Sequence, residues 1–375
     1  MHRDTEIVHA GYRRNTEPGA FLSGPQFSST YTTPGDPSQY PLSYGRFHNP
    51  TWTAWEEALA VLEGGGQAVA FGSGMAAMNA VFGVTLKSGD VVVLPADSYY
   101  AVRRVASTWL ESIGVRVRLA PTRANAQGSA LEDARLLCLE TPSNPMLDVC
   151  DIRELVDAAR AHGVMVAVDN TTATPYLQQP LEMGATLVVA SDTKALTGHS
   201  DLILGHVATR DPSLADALRA WRTYHGAIPG PMEVWLAHRS LPTLPLRISR
   251  QCASAERLAS LLASRPDVAA VHYPGLASHS GHQIARRQMK AFGTVVSFDL
   301  LTQGRAEAFL GALTLVREAT SFGGVHSMAE RRARWGGDAV SEGLIRFSVG
   351  CEAVEDILAD VTVGLDAAAD LLSEL

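Results

Sequence analysis

Ser191-Asp192-Thr193-Lys194 is the stretch that decides the fold of this 375-residue chain. It follows Thr186-Leu187-Val188-Val189-Ala190, a short apolar run that predicts a buried strand. Ligands of open α/β sheets bind where the carboxyl ends of the strands meet, and Lys194 would lie there. An amine at that edge can form an imine with an aldehyde, and Ser191 and Thr193 can hydrogen-bond a phosphate beside it. A lone lysine after a strand is also often a solvated surface charge, so the stretch alone leaves both interpretations open.

A second strand-like run, Val164-Met165-Val166-Ala167-Val168, ends in Asp169. A carboxylate at the same edge can pair with a protonated pyridine nitrogen, which keeps a cofactor ring able to accept electrons. Asp169 also fits a helix or turn cap, which is common after strands. A strand ending in Asp together with a strand ending in Ser-x-x-Lys is much rarer by chance than either alone. The pair therefore predicts a site for pyridoxal 5'-phosphate (PLP).

A glycine-rich turn, Gly72-Ser73-Gly74-Met75, follows Ala68-Val69-Ala70-Phe71 and opens a helix-forming run. Glycines let the backbone approach a ligand closely, and free N–H groups at a helix N-terminus attract phosphate. The turn lacks the Gly-Lys-Ser/Thr ending of a nucleotide P-loop and the full dinucleotide fingerprint. It fits a phosphate site, but taken alone it fits better a tight turn that only begins a helix.

Tyr99 comes just after a strand-like run at residues 91–94. An aromatic ring at that position can stack on a flat cofactor. A tyrosine buried in the core would give the same sequence pattern, so the sequence leaves both interpretations of Tyr99 open.

Six stretches in the same order along nearly the whole chain resemble the PLP-dependent Cys/Met metabolism family. This family includes cystathionine γ-synthase, cystathionine γ-lyase and methionine γ-lyase. The matching stretches are Tyr44-Gly45-Arg46-Phe47-His48-Asn49-Pro50-Thr51, Ser73-Gly74-Met75, Glu140-Thr141-Pro142-Ser143-Asn144-Pro145, Val168-Asp169-Asn170-Thr171, residues 191–201 and Ile345-Arg346-Phe347-Ser348-Val349-Gly350. The resemblance implies the type I (aspartate aminotransferase-like) fold of PLP-dependent transferases, with a doubly wound, mainly parallel sheet and a smaller C-terminal α/β domain.

The resemblance also implies roles for single residues. Lys194 would form the Schiff base with PLP and later shuttle protons, Asp169 would hold the pyridine nitrogen, and Tyr99 would stack on the ring. The phosphate would be held by Ser73, Gly74, Met75, Ser191 and Thr193. Its binding would be completed by Tyr44 and Arg46 of a neighbouring subunit, and Tyr44 joins Lys194 and Tyr99 as a catalytic candidate. The active unit is then at least a homodimer, and analogy with the family favours a homotetramer.

Arg346 resembles the family arginine that binds the α-carboxylate of the substrate, helped by Asn144 and Ser321. A fixed guanidinium fork suits a carboxylate bidentately. From the residues alone, Arg346 also fits a surface charge beside an edge strand.

Two positions depart from the family pattern and are expected near the substrate. Ala195 follows the lysine where relatives commonly have an aromatic residue, and His326 stands where an acidic residue is common. Residues 329–338 replace a methionine-threonine-histidine stretch, and their three closely spaced arginines fit a solvated face better than a second anion site. A histidine can titrate near neutral pH and act as a distal acid or base. Our hypothesis is that His326 and residues 330–334 tune the choice of substrate.

Length and composition indicate how the molecule is divided into domains. A chain of 375 residues with 46% hydrophobic content exceeds the usual size of one domain. We expect an arm at residues 1–45 that serves a neighbouring subunit, a large PLP-binding domain at 46–240 and a smaller domain at 241–375. The net charge of −8 comes without basic runs, which argues against nucleic acid as a partner.

The remaining sequence signals argue against other classes of protein. No membrane-length apolar span and no signal-like N-terminal run is present, so we expect a cytoplasmic protein. The four scattered cysteines indicate neither a zinc site nor a disulfide framework.

The leading functional hypothesis is γ-elimination on a γ-substituted L-amino acid, with cystathionine giving cysteine, 2-oxobutyrate and ammonia. One alternative is γ-replacement on an O-acylhomoserine, as in cystathionine γ-synthase. Another is a specialised lyase for an unusual substrate, such as a halogenated amino acid. A catalytically silent relative with an assembly role is the alternative from another class, and the intact lysine, aspartate and arginine set argues against it.

Overall fold

The structure is a computed structural model that describes residues 1–12 and 20–371. Its strands are β1 (Gln67–Phe71), β2 (Val91–Pro95), β3 (Arg116–Ala120), β4 (Ala134–Glu140), β5 (Met165–Asp169), β6 (Leu187–Ala190), β7 (Gly205–Thr209), β8 (Ala270–His272), β9 (Val295–Asp299), β10 (Arg317–Glu318), β11 (Met328–Arg331) and β12 (Leu344–Ser348).

The α-helices alternate with the strands over much of the chain. They are α1 (Arg3–His9), α2 (Pro50–Leu62), α3 (Gly74–Thr85), α4 (Tyr100–Val105), α5 (Ile152–Ala161), α6 (Thr174–Leu177), α7 (Pro212–His225), α8 (Pro231–Ser240), α9 (Leu244–Ser264), α10 (His282–Gln288), α11 (Gln303–Ala312) and α12 (Val354–Asp370). Short 3₁₀ turns join several of these elements, and a π-helical turn, Ala106–Leu110, extends α4.

The larger sheet has seven strands in the order β1-β7-β6-β5-β4-β2-β3. All of its pairs are parallel except those of β7, which runs antiparallel to both neighbours. The parallel strands β2, β4, β5 and β6 therefore end at one edge. The smaller sheet has the order β10-β11-β12-β9-β8 and is antiparallel apart from the β10–β11 pair. The predicted fold class is confirmed.

Both faces of the larger sheet are covered, which explains its continuous apolar strands. In β6, Val188 packs in a cluster with Trp55 of α2 on one face. Its neighbour Val189 packs in a cluster with Phe82 of α3 on the other face. Successive side chains of a strand point to opposite faces, so both valines are buried.

Helix ends follow simple capping chemistry. The Asp151 side chain accepts a hydrogen bond from the N–H of Glu154 and begins α5. At the end of α7, Gly226 has φ +69°, a left-handed conformation that glycine adopts without strain.

The predicted arm contains more regular structure than its sequence indicates. Residues 3–9 form α1, and Ile7 is fully buried in the cluster that contains Trp52 and Trp55 of the same chain. Residues 13–19 of the arm lie outside the described residues. Among the helices that the structure describes, none is long and apolar enough to cross a membrane.

Candidate active site

A cavity of about 380 Å³ opens where the carboxyl ends of the parallel strands meet the start of α3 and the smaller sheet. Its wall includes most of the residues predicted from the sequence. These are Ser73, Gly74, Met75, Tyr99, Asn144, Asp169, Ser191, Thr193, Lys194, Ser321 and Arg346.

Lys194 lies in a turn four residues after β6. Its Nζ donates a hydrogen bond to Ser321 Oγ at 2.9 Å, so a side chain from the larger sheet contacts a loop of the smaller one. Removal from bulk water, and then the nearby charge of Arg346, lower the pKa of Lys194 to about 8. A substantial share of this amine is therefore neutral slightly above neutral pH, as a nucleophile or base requires.

Buried polar groups hold the turn that carries Lys194. Arg247 of α9 donates to the carbonyl oxygens of Ala195 at 2.6 Å and Leu196 at 3.1 Å. Gly198 has φ +69°, and a Cβ there would lie 1.9 Å from Arg247 Nη1, so this position requires glycine. Sequence reasoning missed Arg247 because nothing near it in the chain indicates an arginine that is buried against backbone carbonyl oxygens.

A buried histidine anchors the same turn from the other side. His206 Nδ1 lies 2.5 Å from Asp192 Oδ1, and its Nε2 lies 3.0 Å from Glu63 Oε1. Burial opposes protonation, but the two carboxylates raise the pKa of His206 to about 10. The resulting imidazolium joins the turn to β7 and to the end of α2.

Two carboxylates lie side by side at the sheet edge, because Asp169 and Glu140 are register partners of β5 and β4. Asp169 Oδ1 accepts from the N–H of Thr171 at 2.9 Å. Removal from water raises the pKa of Asp169, although the hydrogen bonds from Thr171 oppose the shift. Burial, and then the charge of Asp169, raise the pKa of Glu140 well above its usual value. A cation at this edge, such as a protonated pyridine nitrogen, would relieve the repulsion.

Glu140 also organises the wall of the cavity. Its Oε2 accepts from the N–H of Tyr99 and its Oε1 from the N–H of Asn144, both at 2.8 Å. The Tyr99 ring lines the cavity and meets the Tyr100 ring edge-on, with centroids 5.0 Å apart. Burial, and then the neighbouring Tyr100, raise the pKa of Tyr99. Glu140 belongs to one of the six stretches that resemble the family, but its role as the common acceptor for Tyr99 and Asn144 is visible only in the structure.

The start of α3 forms the opposite end of the cavity. Ser73 caps the helix by accepting from the N–H of Ala76 at 3.0 Å. A Cβ on Gly74 would lie 2.6 Å from the Cβ of Ser191, so only glycine permits this close approach. Because Ser73, Gly74 and Met75 line the cavity, a small anion in it can reach the helix N-terminus, as the fit of a phosphate requires.

Thr193 lines the same cavity but has a local partner. Its hydroxyl donates to the carbonyl oxygen of Leu204 at 3.1 Å. A phosphate bond to Thr193 would have to replace that hydrogen bond, and one to the Ser191 N–H would have to replace its hydrogen bond to Thr171 Oγ1 at 2.8 Å.

Arg346 is not a surface charge. It lies on β12, in the interior of the smaller sheet, with 4% of its surface exposed. Its Nη1 donates to Asn144 Oδ1 at 2.8 Å, and its Nη2 donates to the carbonyl oxygen of Ser321 at 3.1 Å and to Glu330. Burial lowers the pKa of Arg346 to about 10. The guanidinium remains charged at neutral pH and borders the cavity.

The prediction that the arginine-rich stretch forms a solvated face is wrong for Arg332. This side chain is 4% exposed, lines the cavity and pairs with Glu330 at 2.7 Å and Asp338 at 2.6 Å. Arg331 and Arg334 do follow the prediction in part, since their ion pairs include exposed glutamates. Two buried carboxylates near the middle arginine offset the cost of burying it.

Four residues singled out from the sequence lie elsewhere. Ala195 is buried against Gly323, whose Cβ would lie 2.6 Å from the Ala195 N, and His326 is exposed. Neither lines the cavity. Tyr44 and Arg46 line a second cavity of about 630 Å³, where Arg46 Nη1 donates to the carbonyl oxygen of Thr223 at 2.9 Å. Tyr44 is 45% exposed. A contact of this pair with a neighbouring subunit stays a prediction.

An amine of lowered pKa, adjacent carboxylates and a helix N-terminus around one small cavity match what PLP presents: an aldehyde, a ring nitrogen and a phosphate. The site thus defines a PLP-dependent enzyme of the aspartate aminotransferase type. Comparison with known proteins narrows the class. Residues 4–366 match the Cys/Met metabolism PLP-dependent enzymes, and the chain belongs to this family.

Individual relatives span almost the same length. The chain is 53% identical over 352 residues to a putative cystathionine gamma-lyase of Streptomyces coelicolor, covering 93% of this chain and 89% of the relative. It is 40% identical to the cystathionine gamma-synthase of Mycobacterium tuberculosis, covering 93% and 92%. Among solved structures, cystathionine gamma synthase from Xanthomonas oryzae pv. oryzae superposes with a TM-score of 0.94 at 36% identity, covering 99% of each chain.

Proposed function

We propose that this protein catalyses elimination at Cγ of a γ-substituted L-amino acid, with cystathionine as the leading substrate. Cystathionine and water would give cysteine, 2-oxobutyrate and ammonia. One observation carries the proposal: Ser321 contacts both Lys194, through its hydroxyl at 2.9 Å, and Arg346, through its carbonyl at 3.1 Å. An amino acid held by its carboxylate at Arg346 therefore presents its Cα to the amine of Lys194.

The cavity residues divide into those that would hold the cofactor and those that would hold the substrate. Lys194, Asp169 and Tyr99 are assigned to the aldehyde, the ring nitrogen and the ring face of PLP. The start of α3 and Ser191 are assigned to its phosphate. When bound, PLP supplies an electron-accepting ring that stabilises negative charge at the substrate Cα.

The substrate carboxylate would be bound by Arg346 and Asn144. These two side chains already contact each other at 2.8 Å, so the carboxylate would meet a preformed pair of donors. Fixing the carboxylate orients the Cα–H bond towards Lys194 and limits the rotation of the amino acid.

Lys194 Nζ would move the protons. It would remove a proton from Cα, give that proton up to the bound PLP, and only then accept a second proton from Cβ, after which the γ-substituent can leave as a thiolate. Its pKa of about 8 makes it neutral often enough to accept a proton and basic enough to return one. The partly buried position of Nζ keeps bulk water from competing for those protons.

The phosphate site would be completed by Tyr44 and Arg46 of a second subunit, so we propose a homodimer as the smallest active unit and a homotetramer as the assembly. The support is their position outside the main cavity, on a surface that includes the exposed Phe27.

Product analysis by mass spectrometry tests the proposed reaction. Purified, PLP-loaded protein is incubated with L-cystathionine, and in parallel with O-succinylhomoserine plus cysteine. Cysteine with 2-oxobutyrate from the first incubation is the expected result. Cystathionine formed in the second, without elimination in the first, would replace the lyase by a γ-synthase, the function named for the relatives from Mycobacterium tuberculosis and Xanthomonas oryzae.

A further inference from the structure

A chain of ion pairs runs from Arg346 through the smaller sheet to helix α4. Its five members, called the arginine chain below, are Arg346, Glu330, Arg332, Asp338 and Arg103. We infer that the arginine chain positions Arg346 for the substrate carboxylate, and that Arg332, Asp338 and Arg103 are positioning residues for that contact. The inference rests on the proposed function, in which Arg346 binds the α-carboxylate.

The first step concerns the donors of Arg346. Three of its five N–H groups already donate to Asn144, to the Ser321 carbonyl and to Glu330. The plane of the guanidinium is thus set by three acceptors, and the remaining hydrogens, on Nε and Nη1, are the ones offered to a substrate.

The second step concerns the charge of Glu330. This carboxylate is 1% exposed, and its Oε1 accepts from both Arg346 and Arg332, the latter at 2.7 Å. Its Oε2 accepts from Trp335 Nε1 at 2.7 Å and from Arg334 Nη2 at 3.2 Å. Because Arg332 shares the oxygen, Glu330 neutralises Arg346 only in part. Without Arg332, only Arg346 and the more exposed Arg334 would share the charge of Glu330, so more of that charge would act on Arg346 and weaken its attraction for a substrate carboxylate.

The third step is the link to the larger sheet. Arg332 Nη2 donates to Asp338 Oδ2 at 2.6 Å, and Arg103 Nη2 donates to Asp338 Oδ1 at 2.9 Å. Arg103 belongs to α4, which begins directly after Tyr99, and its Nε donates to the Ser98 carbonyl at 3.0 Å. The arginine chain therefore joins the carboxylate-binding arginine to the segment that carries the ring-stacking tyrosine.

Net charge supports a role beyond simple packing. Within the arginine chain three guanidinium groups face two carboxylates, and Arg334 pairs with Glu330 from outside it, so the cluster around these two carboxylates carries a positive excess. If the arginine chain served only to hold the two sheets together, its Arg346 end would not need to border the cavity.

The test measures preference for a carboxylate on the PLP-loaded protein. Dissociation constants are determined from the change in visible absorbance on titration with L-norleucine, which has no γ leaving group, and with its amide. The ratio of the two constants is the carboxylate preference. We expect Arg332→Gln to lower it about tenfold, and Asp338→Asn and Arg103→Gln to lower it about threefold. Amide binding should stay within about twofold.

Neighbouring arginines provide matched controls. Arg331 pairs with Glu342 and Glu307 outside the cavity, and Arg104 is exposed. Arg331→Gln and Arg104→Gln should leave the preference within about twofold of the original. Arg332→Lys, which keeps the charge but not the two-pronged fork, should restore part of the preference.

The outcomes separate the two proposals. If Arg346→Lys leaves the preference unchanged, Arg346 does not bind the carboxylate and the proposed function fails with it. If Arg346→Lys abolishes the preference while Arg332→Gln and Arg103→Gln retain it, only the positioning role is overturned. Should Arg332→Gln fail to fold, Arg103→Gln decides the question, because it removes the last link alone.

Discussion

Replacing Lys194 by methionine should stabilise the cofactor-free protein at neutral pH and lose that advantage in alkali. The pKa of Lys194 lies at about 8 in the folded chain, against an ordinary value of 10.5. At about 1.4 kcal/mol per pKa unit, the folded state bears a penalty of about 3 kcal/mol for the charged amine. The hydrogen bond to Ser321 and partial exposure reduce the expected gain to about 2 kcal/mol.

The sign of the pH dependence follows from proton binding. Below pH 8 the lysine is protonated in both states, and the whole penalty acts on the folded protein. Above its folded pKa of about 8 the native amine loses its proton first, so the unfolded state binds more protons and the stability of the unsubstituted chain rises with pH. The advantage of Lys194→Met should therefore shrink as pH approaches the ordinary lysine value of 10.5.

Thermal unfolding at a fixed scan rate measures this difference. With about 2 cal/mol/K of unfolding entropy per residue, a gain of about 2 kcal/mol raises the Tm of a chain this long by about 2–3 °C. Exposed Lys87 supplies the control, since Lys87→Met should leave the Tm within about 1 °C at every pH. A Tm difference for Lys194→Met that does not change with pH would refute the account of a desolvated amine.

Three further outcomes are expected. Asp169→Asn should reduce kcat on the order of 100-fold, because a neutral amide cannot keep the ring nitrogen protonated; a steady-state assay with unchanged kcat would contradict this. Gly74→Ala should weaken PLP binding about tenfold or more, since its Cβ would lie 2.6 Å from a neighbouring side chain, whereas Gly304→Ala, with nothing within 4 Å, should leave PLP affinity unchanged in a fluorescence titration. Arg46→Ala and Lys194→Ala should each be inactive alone, but subunits mixed after dissociation should recover roughly a quarter of the original activity if each site uses Arg46 of the neighbour, and none if the sites are not shared.

Much of the fold and the centre of the site could be predicted because local patterns carry them. Lys194 and Asp169 each follow a short β-branched run: β5 ends at Asp169, and β6 ends at Ala190, four residues before Lys194. Strand ends in a parallel sheet converge on one edge, so two separate motifs in the chain predict one place in the fold.

The rest of the site depends on partners far apart in the chain. An arginine in a charged stretch is usually exposed. Arg332 is buried because it forms ion pairs with both Glu330 and Asp338. Gly323 lies so close to Ala195 that a Cβ on it would come within 2.6 Å of the Ala195 N, and neither sequence neighbourhood indicates this contact. The buried guanidinium of Arg247 likewise donates to backbone carbonyl oxygens far away in the chain. Local sequence patterns cannot predict which charged side chains are buried by partners that are distant in the chain.

The attachment point of the cofactor tests the central claim most directly. The chain contains three lysines, Lys87, Lys194 and Lys290, so the result admits few alternatives. The PLP-loaded protein is reduced with borohydride, digested, and its peptides are mapped by mass spectrometry. The account predicts the reduced cofactor on Lys194, lost when that residue is replaced by methionine. Attachment to Lys87 or Lys290, or none at all in protein saturated with PLP, would contradict it.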